Sequence, residues 1–228
     1  MQRRSPPPTL EALIERARAL AGRSLGELSY ALGAELADDS TKTKGKFGVL
    51  LEAALGATGG SGKSRDFPEL GVELKTLPVR PDGIPTESTY VCTLHVQSAS
   101  ELAWESSWVK DKLSRVLFVP VQGGKGPWAD RLLGRAFLWS PNAEEEATLR
   151  KDFEDLVGMV VSGRVESLSA HHGIALQVRP KAADGSKTAT VRTDDGELVQ
   201  TVPKGFYLRT SFTGALLAKY GLGRQAPL

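Results

Sequence analysis

Three acidic residues and one lysine are spaced along residues 52–75 in a way that could do chemistry. Glu52 lies near the end of a helix-like run, Asp66 follows a glycine-rich stretch, and Glu73 and Lys75 belong to one strand-like segment. Carboxylate oxygens are hard ligands for Mg²⁺, and an ammonium stabilises charge near an attacking water or a phosphate. The set suits a divalent metal bound to a phosphodiester, provided that helix, loop and strand fold back together. The spacing alone is equally compatible with a solvated strand face.

Two elements must position these side chains. Residues 71–77 are apolar at positions 72, 74 and 77, and this near-alternation predicts a strand with Glu73 and Lys75 on one face. Upstream, residues 47–55 carry apolar side chains at helical spacing, and Glu52 sits beside that stripe. A carboxylate at the edge of an apolar face can point into a cleft or remain a surface acid.

The stretch between helix and strand resembles a phosphate-binding loop. Residues 57–64, ATGGSGKS, place Lys63 and Ser64 after a glycine-rich turn. Such a loop needs a strand before it and a helix after it, so that backbone amides converge on the phosphates. Here the predicted order is the reverse. We therefore interpret the stretch as a flexible loop between Glu52 and Asp66, and nucleotide binding as the alternative.

The remaining pattern predicts alternating helices and strands. Thr9 and Ser24 provide N-terminal caps for two short helices, and Ser140 with Pro141 is expected to begin a long one. Residues 86–97 predict a strand that pairs with 71–79 across a turn at 81–83. Further elements are expected as strands at 116–121, 131–139, 174–178 and 197–202 and a last helix at 212–220.

Basic residues cluster in three segments that suit nucleic acid. Residues 35–46 read as a polar loop with lysines at 42, 44 and 46, residues 101–128 interleave basic residues with Trp104 and Trp108, and residues 179–187 form a basic loop. Basic side chains can contact phosphates, and aromatic rings can pack against the nucleic acid. Solvated loops and helix packing explain the same patterns, and at least one of the tryptophans is expected in the core.

Composition limits the alternatives. The chain has 228 residues, a net charge of +2, 40% hydrophobic and 25% charged residues, so a DNA surface would require local clustering of Lys and Arg. Its one cysteine, Cys92, suggests a buried thiol in a reducing compartment. We expect a cytoplasmic protein without a membrane-spanning segment, built as a single domain over residues 1–228 with a flexible lead-in at 1–8.

Several separated segments resemble one known family. KGKFGVLLEAALGA, DFPELGVELKT and GFYLRTSFTGALLAKY are similar to the MutH family of mismatch-repair endonucleases, within the PD-(D/E)xK nuclease superfamily, and the likeness runs from about residue 25 to residue 220. It implies an α/β, restriction-endonuclease-like fold: a mixed sheet flanked by helices, in two lobes around a DNA-binding cleft.

The resemblance also implies an activity, partners and site residues. We expect a Mg²⁺-dependent endonuclease that nicks the unmethylated strand at hemimethylated GATC sites in double-stranded DNA. The enzyme would be a monomer, activated directly by MutL and indirectly by MutS. Asp66 and Glu73 would be the principal metal ligands, Glu52 would complete the site, and Lys75 would orient the attacking water. Tyr207 would sense adenine methylation, and the implied DNA-binding residues are Lys44, Glu87, Tyr90, Lys112, Arg179, Pro180, Lys181 and Tyr207.

Two further hypotheses accompany this expectation. The chain could be a type II restriction enzyme that cuts GATC, or a GATC-binding module with an inactive site. Arg65 occupies the place of the family's usual proline before Asp66. We expect this departure to be harmless, because the proline shapes a turn and does no chemistry.

Overall fold

A computed structural model describes residues 1–34, 40–59, 64–94, 102–124, 126–168, 172–181, 189–192 and 198–222. Within these ranges, residues 40–46, 165–166, 189–192 and 198–201 are described by their backbone alone. The α-helices are α1 (Leu10–Arg18), α2 (Leu25–Ala31), α3 (Ser40–Leu55), α4 (Trp108–Leu113), α5 (Ala143–Val161) and α6 (Thr210–Lys219). The strands are β1 (Glu73–Val79), β2 (Thr89–Leu94), β3 (Val116–Gln122), β4 (Phe137–Trp139), β5 (Leu176–Pro180), β6 (Ala189–Arg192), β7 (Leu198–Thr201) and β8 (Lys204–Leu208).

The chain divides into two compact units. The first unit comprises Met1–Glu87, Arg115–Ser140 and Thr213–Leu228, and the second comprises Ser88–Ser114 and Pro141–Phe212. The mixed α/β class predicted from the sequence is confirmed. The single-domain organisation and the cleft between two lobes stay predictions.

The first unit is built on the sheet β1-β3-β4. β1 and β3 are parallel with Glu73 opposite Val116, whereas β3 and β4 are antiparallel, so the sheet is mixed. Helix α3 packs on β1 through buried leucines such as Leu51 and Leu55, which belong to the same apolar core as Leu74. The helix that carries Glu52 and the strand that carries Glu73 are therefore held together by burial of apolar surface.

The second unit is built on the antiparallel sheet β2-β8-β5, with α5 packed on β5 and α4 packed on β2. The predicted pairing of 86–97 with 71–79 is wrong, because β2 pairs with β8 and β1 pairs with β3. The turn itself forms, with Gly83 at φ +75° donating from its nitrogen to the Arg80 carbonyl over 2.8 Å. Alternating apolar residues identify a strand but not its partner.

Several helix and strand boundaries differ from the prediction. The N-cap of α5 is Asn142 rather than Ser140: Asn142 Oδ1 accepts from the Glu145 nitrogen over 2.8 Å, and the Glu145 carboxylate accepts from the Asn142 nitrogen. Residues 40–46 lie in α3 rather than in a polar loop, since lysine favours helices without contributing to an apolar stripe. The strand predicted at 131–139 is regular only in β4. The N-caps Thr9 and Ser24 are confirmed.

The first residues of the chain run along the first unit. The backbone nitrogen of Gln2 donates to the Leu32 carbonyl over 2.7 Å, and that of Arg4 donates to the Ala53 carbonyl over 3.0 Å. The flexibility expected for residues 1–8 stays a prediction. None of the helices in the described part of the chain is both long and apolar enough to cross a membrane.

Candidate functional site

A tight turn in the first unit returns the chain from Asp66 to the start of β1. Phe67 and Val72 exchange two backbone hydrogen bonds, of 2.9 and 3.1 Å, around a short 3₁₀ turn at Pro68–Leu70. Gly71 closes this turn in the left-handed region at φ +63°, which favours glycine. The six residues between Asp66 and Glu73 therefore form a closed turn that places both carboxylates at one end of the sheet.

Asp66 is fixed on both its backbone and its side chain. The backbone nitrogens of Thr58 and Gly59 each donate to the Asp66 carbonyl over 3.0 Å. A Cβ at position 59 would lie 2.0 Å from the carbonyl oxygen of Arg65, so this contact requires glycine. On the other side, Asp66 Oδ2 accepts a hydrogen bond of 2.7 Å from the Leu74 nitrogen.

Arg65 contributes to the same turn. Its Nη1 donates to the Gly71 carbonyl over 2.9 Å, and Nη1 of Arg115 donates to the neighbouring Leu70 carbonyl over 3.2 Å. Where the family pattern has a proline that restricts the backbone, this chain has a side chain that bonds across the turn. Sequence reasoning missed this role, because it followed the backbone effect of proline and ignored what an arginine can bond.

Glu73 and Lys75 form a largely buried ion pair on β1. Lys75 Nζ lies 2.8 Å from Glu73 Oε1, and Glu73 itself is only 3% exposed. Their positions two residues apart on a strand put both side chains on one face, as the alternating pattern predicted. A carboxylate buried to this extent needs a cation nearby, which Lys75 provides.

The carboxylates of the site influence one another. The pKa of Asp66 is raised from 3.8 to about 6. Burial contributes most to the rise, followed by the negative charges of Glu73 and, more weakly, Glu52, while the hydrogen bond from the Leu74 nitrogen and the charge of Lys75 oppose it. The structure thus brings the four sequence-predicted residues into one electrostatic group. The pKa of Asp66 is raised mainly because its carboxyl group is buried and next because Glu73 is negatively charged.

The donor set fits a hard divalent cation. Within the described residues, no three carboxylate, imidazole or thiol side chains lie together in a ready-made metal site. Asp66 and Glu73 nevertheless offer carboxylate oxygens, the ligands that Mg²⁺ prefers. The raised pKa of Asp66 reflects burial of its carboxylate and repulsion by Glu73, and a bound cation would stabilise the charged form against both. The part of Glu52 as a further ligand stays a prediction.

The antiparallel sheet of the second unit carries most of the residues expected to contact DNA. Tyr90 of β2 lies opposite Tyr207 of β8, and their rings meet edge to face with centroids 5.3 Å apart. Arg179 Nη1 donates to Ser88 Oγ over 2.7 Å, which joins the end of β5 to the residue before β2. These contacts connect aromatic and basic side chains across the strands of one sheet.

One positional expectation for this surface is corrected. Arg179 and Pro180 are the last residues of β5 rather than part of a loop. Pro180 is tolerated because β5 is an edge strand of its sheet, and the backbone nitrogen of Lys181 still donates to the Pro203 carbonyl over 2.7 Å. Tyr207 lies within β8. Burial and the neighbouring Tyr90 raise the pKa of Tyr207, opposed by Arg179, so its phenol remains neutral at physiological pH.

A buried carboxylate that sequence reasoning missed holds the start of β5. Asp152 of α5 accepts hydrogen bonds of 2.7–3.0 Å from the backbone nitrogens of Ile174, Ala175 and Leu176. Gly173, at φ +82°, shapes the turn, and a Cβ there would lie 1.9 Å from the Leu176 carbonyl oxygen. An acid on the apolar face of a helix is the sequence signal that could have revealed it.

The other predicted contact residues are more dispersed. Lys44 lies in α3 and is described by its backbone only, and Glu87 is exposed beside a pocket of about 300 Å³ in the first unit. Lys112 is buried in α4 of the second unit. Trp104 is buried and Trp108 is exposed, which confirms that at least one of the two is core.

Comparisons with known proteins identify the family of this chain. A family model described as DNA mismatch repair enzyme MutH matches residues 55–152, which include Asp66, Glu73 and Lys75. The DNA mismatch repair protein MutH of Serratia proteamaculans (strain 568) is 48% identical over 216 residues, or 94% of this chain and 95% of the relative. Proteins of the same name from Yersinia enterocolitica and Escherichia coli strain K12 are 45% and 47% identical over 219 residues, or 96% of this chain and of each relative.

Proposed function

The chain belongs to the MutH family and is a mismatch-repair endonuclease, and we propose that it nicks the unmethylated strand of hemimethylated GATC sites by Mg²⁺-dependent hydrolysis. The observation that carries this proposal is the arrangement of Asp66, Glu73 and Lys75 on one turn and one strand. Two carboxylates that can bind a divalent cation and an ammonium that can stabilise a phosphate suit metal-assisted hydrolysis of a phosphodiester.

In this proposal Asp66 and Glu73 hold Mg²⁺ through carboxylate oxygens, and Glu52 completes the site. When bound, the ion supplies positive charge to the phosphate and makes a coordinated water more acidic. Asp66 must be ionised to act as a ligand, which its pKa of about 6 permits at neutral pH. The backbone hydrogen bonds to Asp66 already hold its carboxylate near Glu73, so binding of the ion would need no rearrangement of the turn.

Lys75 would act on the water and the phosphate. Its ammonium has three N–H donors, so the contact of 2.8 Å to Glu73 is compatible with a second donation to the attacking water or to a phosphate oxygen. The pair with Glu73 holds the ammonium where negative charge develops on the phosphate in the transition state. Lys112 occupies the position of a functionally important lysine in the family, and we infer that it contributes to the reaction.

Sequence recognition is assigned to the second unit. Arg179 and Pro180 end β5 and Lys181 follows it, and β5 pairs with β8, the strand that carries Tyr207. Basic and aromatic side chains on a sheet suit contacts to phosphates and base edges. Tyr207 would detect methylation through the fit of its ring against the adenine N6 position. Further DNA contacts are proposed for Lys44, Glu87 and Tyr90.

The proposed partners are double-stranded DNA, MutL as activator and, through MutL, MutS. We expect a monomer, because nicking one strand requires one active site, and action in the cytoplasm, where the substrate is found. Addition of MutL should raise the nicking rate of the isolated chain. An unchanged rate at saturating MutL would exclude that form of activation.

Plasmid nicking tests the proposal. Supercoiled plasmids with hemimethylated, fully methylated or no GATC sites are incubated with Mg²⁺ and with wild type or Asp66→Ala, with MutL absent or present. We expect open circles from the hemimethylated plasmid only, and none with the variant. Linear product from the hemimethylated plasmid would favour a restriction enzyme that cuts both strands. Binding without cutting would favour an inactive module, and ATP binding lost in Lys63→Ala would favour the nucleotide site.

A further inference from the structure

Thr93 links two of the side chains on the antiparallel sheet of the second unit. Lys181 Nζ donates to Thr93 Oγ1 over 2.9 Å, and the same oxygen lies 2.8 Å from the Tyr90 hydroxyl. The Lys181 ammonium is also 5.2 Å from the centre of the Tyr90 ring, within the range of a cation–π contact. One threonine hydroxyl therefore connects the cation that follows β5 to the tyrosine that packs against Tyr207.

A β-bulge makes this contact possible. Residues three apart in a regular strand point to opposite faces of the sheet. In β2, Tyr90 lies opposite Tyr207 while Thr93 lies opposite Gly205, so three steps along β2 correspond to two along β8. The extra residue puts Tyr90 and Thr93 on the same face, and bulges commonly redirect a side chain in this way near functional sites.

Gly205 provides the space in which the tyrosine rings pack. A Cβ at this position would lie 2.9 Å from Tyr90 Cε2, 3.0 Å from the Cys92 carbonyl oxygen and 3.4 Å from Tyr207 Cε2. Any side chain at 205 would have to displace Tyr90, because the Cys92 backbone cannot move out of the ladder. The absence of a side chain at Gly205 thus lets the two tyrosine rings pack close to the backbone of β8.

We propose that Thr93 is a positioning residue for methylation discrimination: its hydroxyl holds Tyr90, and Tyr90 holds the ring of Tyr207. The inference rests on the proposed role of Tyr207 as the residue that senses the adenine methyl group. In this inference the methyl group is sensed by two tyrosine rings, Tyr207 and the Tyr90 ring packed against it, rather than by Tyr207 alone.

Discrimination against the methylated strand depends on how rigidly the Tyr207 ring is held. An N6-methyl group is penalised only if the ring that it meets cannot move aside. Tyr207 has the Tyr90 ring against it, and Tyr90 is fixed through its own hydroxyl by Thr93, which in turn bonds Lys181. Without the Thr93 hydroxyl the pair can yield, and the methylated strand is cut more readily relative to the unmethylated one.

A matched pair of variants tests the proposal. Thr93→Val removes the hydroxyl and retains the shape of the side chain. Thr89→Val makes the same change in the same strand, at a buried hydroxyl that has no hydrogen-bond partner among the described residues. The nicking rates of the unmethylated and the N6-methylated strand of GATC duplexes are measured for each protein with Mg²⁺ and MutL.

We expect Thr93→Val to lower the ratio of the two rates by about fivefold, the equivalent of about 1 kcal/mol for one lost hydrogen bond. Thr89→Val should keep the wild-type ratio. Should Thr93→Val fold poorly, Thr93→Ser and Thr93→Ala provide a second comparison, since both lose the methyl group and only serine keeps the hydroxyl. Serine should restore the ratio and alanine should not.

The outcomes separate this inference from the proposed function. A wild-type ratio in Thr93→Val, or equal ratios in the serine and alanine variants, would overturn the inference while Tyr207→Ala still tests the sensor. Loss of discrimination in Gly205→Ala, at unchanged melting temperature, would support it further. A wild-type protein that does not distinguish the methylated strand would overturn both.

Discussion

The Oδ2 oxygen of Asp66 accepts a hydrogen bond of 2.7 Å from the backbone nitrogen of Leu74, the residue between Glu73 and Lys75. This bond joins the two halves of the proposed active site, the turn and the strand, through a backbone group that mutation cannot remove. It also leaves Asp66 beside Glu73, and the charge of Glu73 together with burial raises the pKa of Asp66 to about 6. The chemistry and the stability of the first unit are therefore coupled at one residue.

Asp66→Asn should stabilise the metal-free protein while abolishing nicking. Because the pKa of Asp66 rises from 3.8 to about 6 on folding, its contribution to stability is present below pH 3.8 and is lost as pH rises through about 6. At pH 8 the charged form costs about 3 kcal/mol at most, and a neutral amide avoids that cost.

Guanidinium unfolding in EDTA at pH 8 measures this effect. We expect a gain of about 1–3 kcal/mol for Asp66→Asn that shrinks at pH 4.5. Asp130→Asn, at an exposed acid of the same unit, should change neither stability nor nicking. If Asp66→Asn were no more stable than the wild type at pH 8, the negative charge of Asp66 would not destabilise the folded protein.

The nicking rate should depend on pH through Asp66. At limiting Mg²⁺ the rate should rise about tenfold per pH unit below about 6 and level off above about 7, because the ligand must lose its proton. At saturating Mg²⁺ the midpoint should move to lower pH, since metal binding displaces the proton. Single-turnover nicking from pH 5 to 8 at both concentrations checks this, and a flat profile at limiting Mg²⁺ would contradict it.

Arg65→Ala should loosen the turn between Asp66 and β1. Loss of the 2.9 Å hydrogen bond to the Gly71 carbonyl should lower the free energy of unfolding by about 1 kcal/mol and the nicking rate severalfold. Arg135→Ala, at an exposed arginine of the same unit, serves as the control. Identical rates for the two variants would mean that Arg65 does not shape the site.

Asp152→Ala should destabilise the second unit strongly. Three backbone N–H groups would lose their acceptor, which should cost about 3 kcal/mol and weaken GATC binding through movement of β5. Asp155→Ala, an exposed acid on the same helix, should cost about 0.5 kcal/mol or less. Urea unfolding and DNA binding of both variants test this, and similar midpoints would refute the role of Asp152.

The active-site half of the molecule was largely predictable from the sequence. The apolar stripe of α3, the alternation in β1 and the short spacing from Asp66 to Glu73 are local patterns, and local patterns determine local structure. Glu73 and Lys75 share a face as predicted. The bond from Arg65 was not predictable, because it depends on where the Gly71 carbonyl points after the turn has closed.

The second unit was predictable only in part, because its contacts are distant in sequence. Nothing near residue 90 shows that β2 pairs with β8, more than one hundred residues later. The bulge that turns Thr93 toward Tyr90 is visible only from the register of that pairing. The likeness to the family indicated Tyr207 and Arg179 by position, but the side chains that hold them could be found only in the structure.

The measurement that tests the central claim most directly uses a duplex with one hemimethylated GATC and a different fluorophore on each strand. After incubation with Mg²⁺ and MutL, the two strands are resolved on a denaturing gel. We predict cleavage of the unmethylated strand alone by the wild type, and of neither strand by Asp66→Ala. Cleavage of both strands at equal rates, or cleavage that persists in Asp66→Ala, would contradict the account.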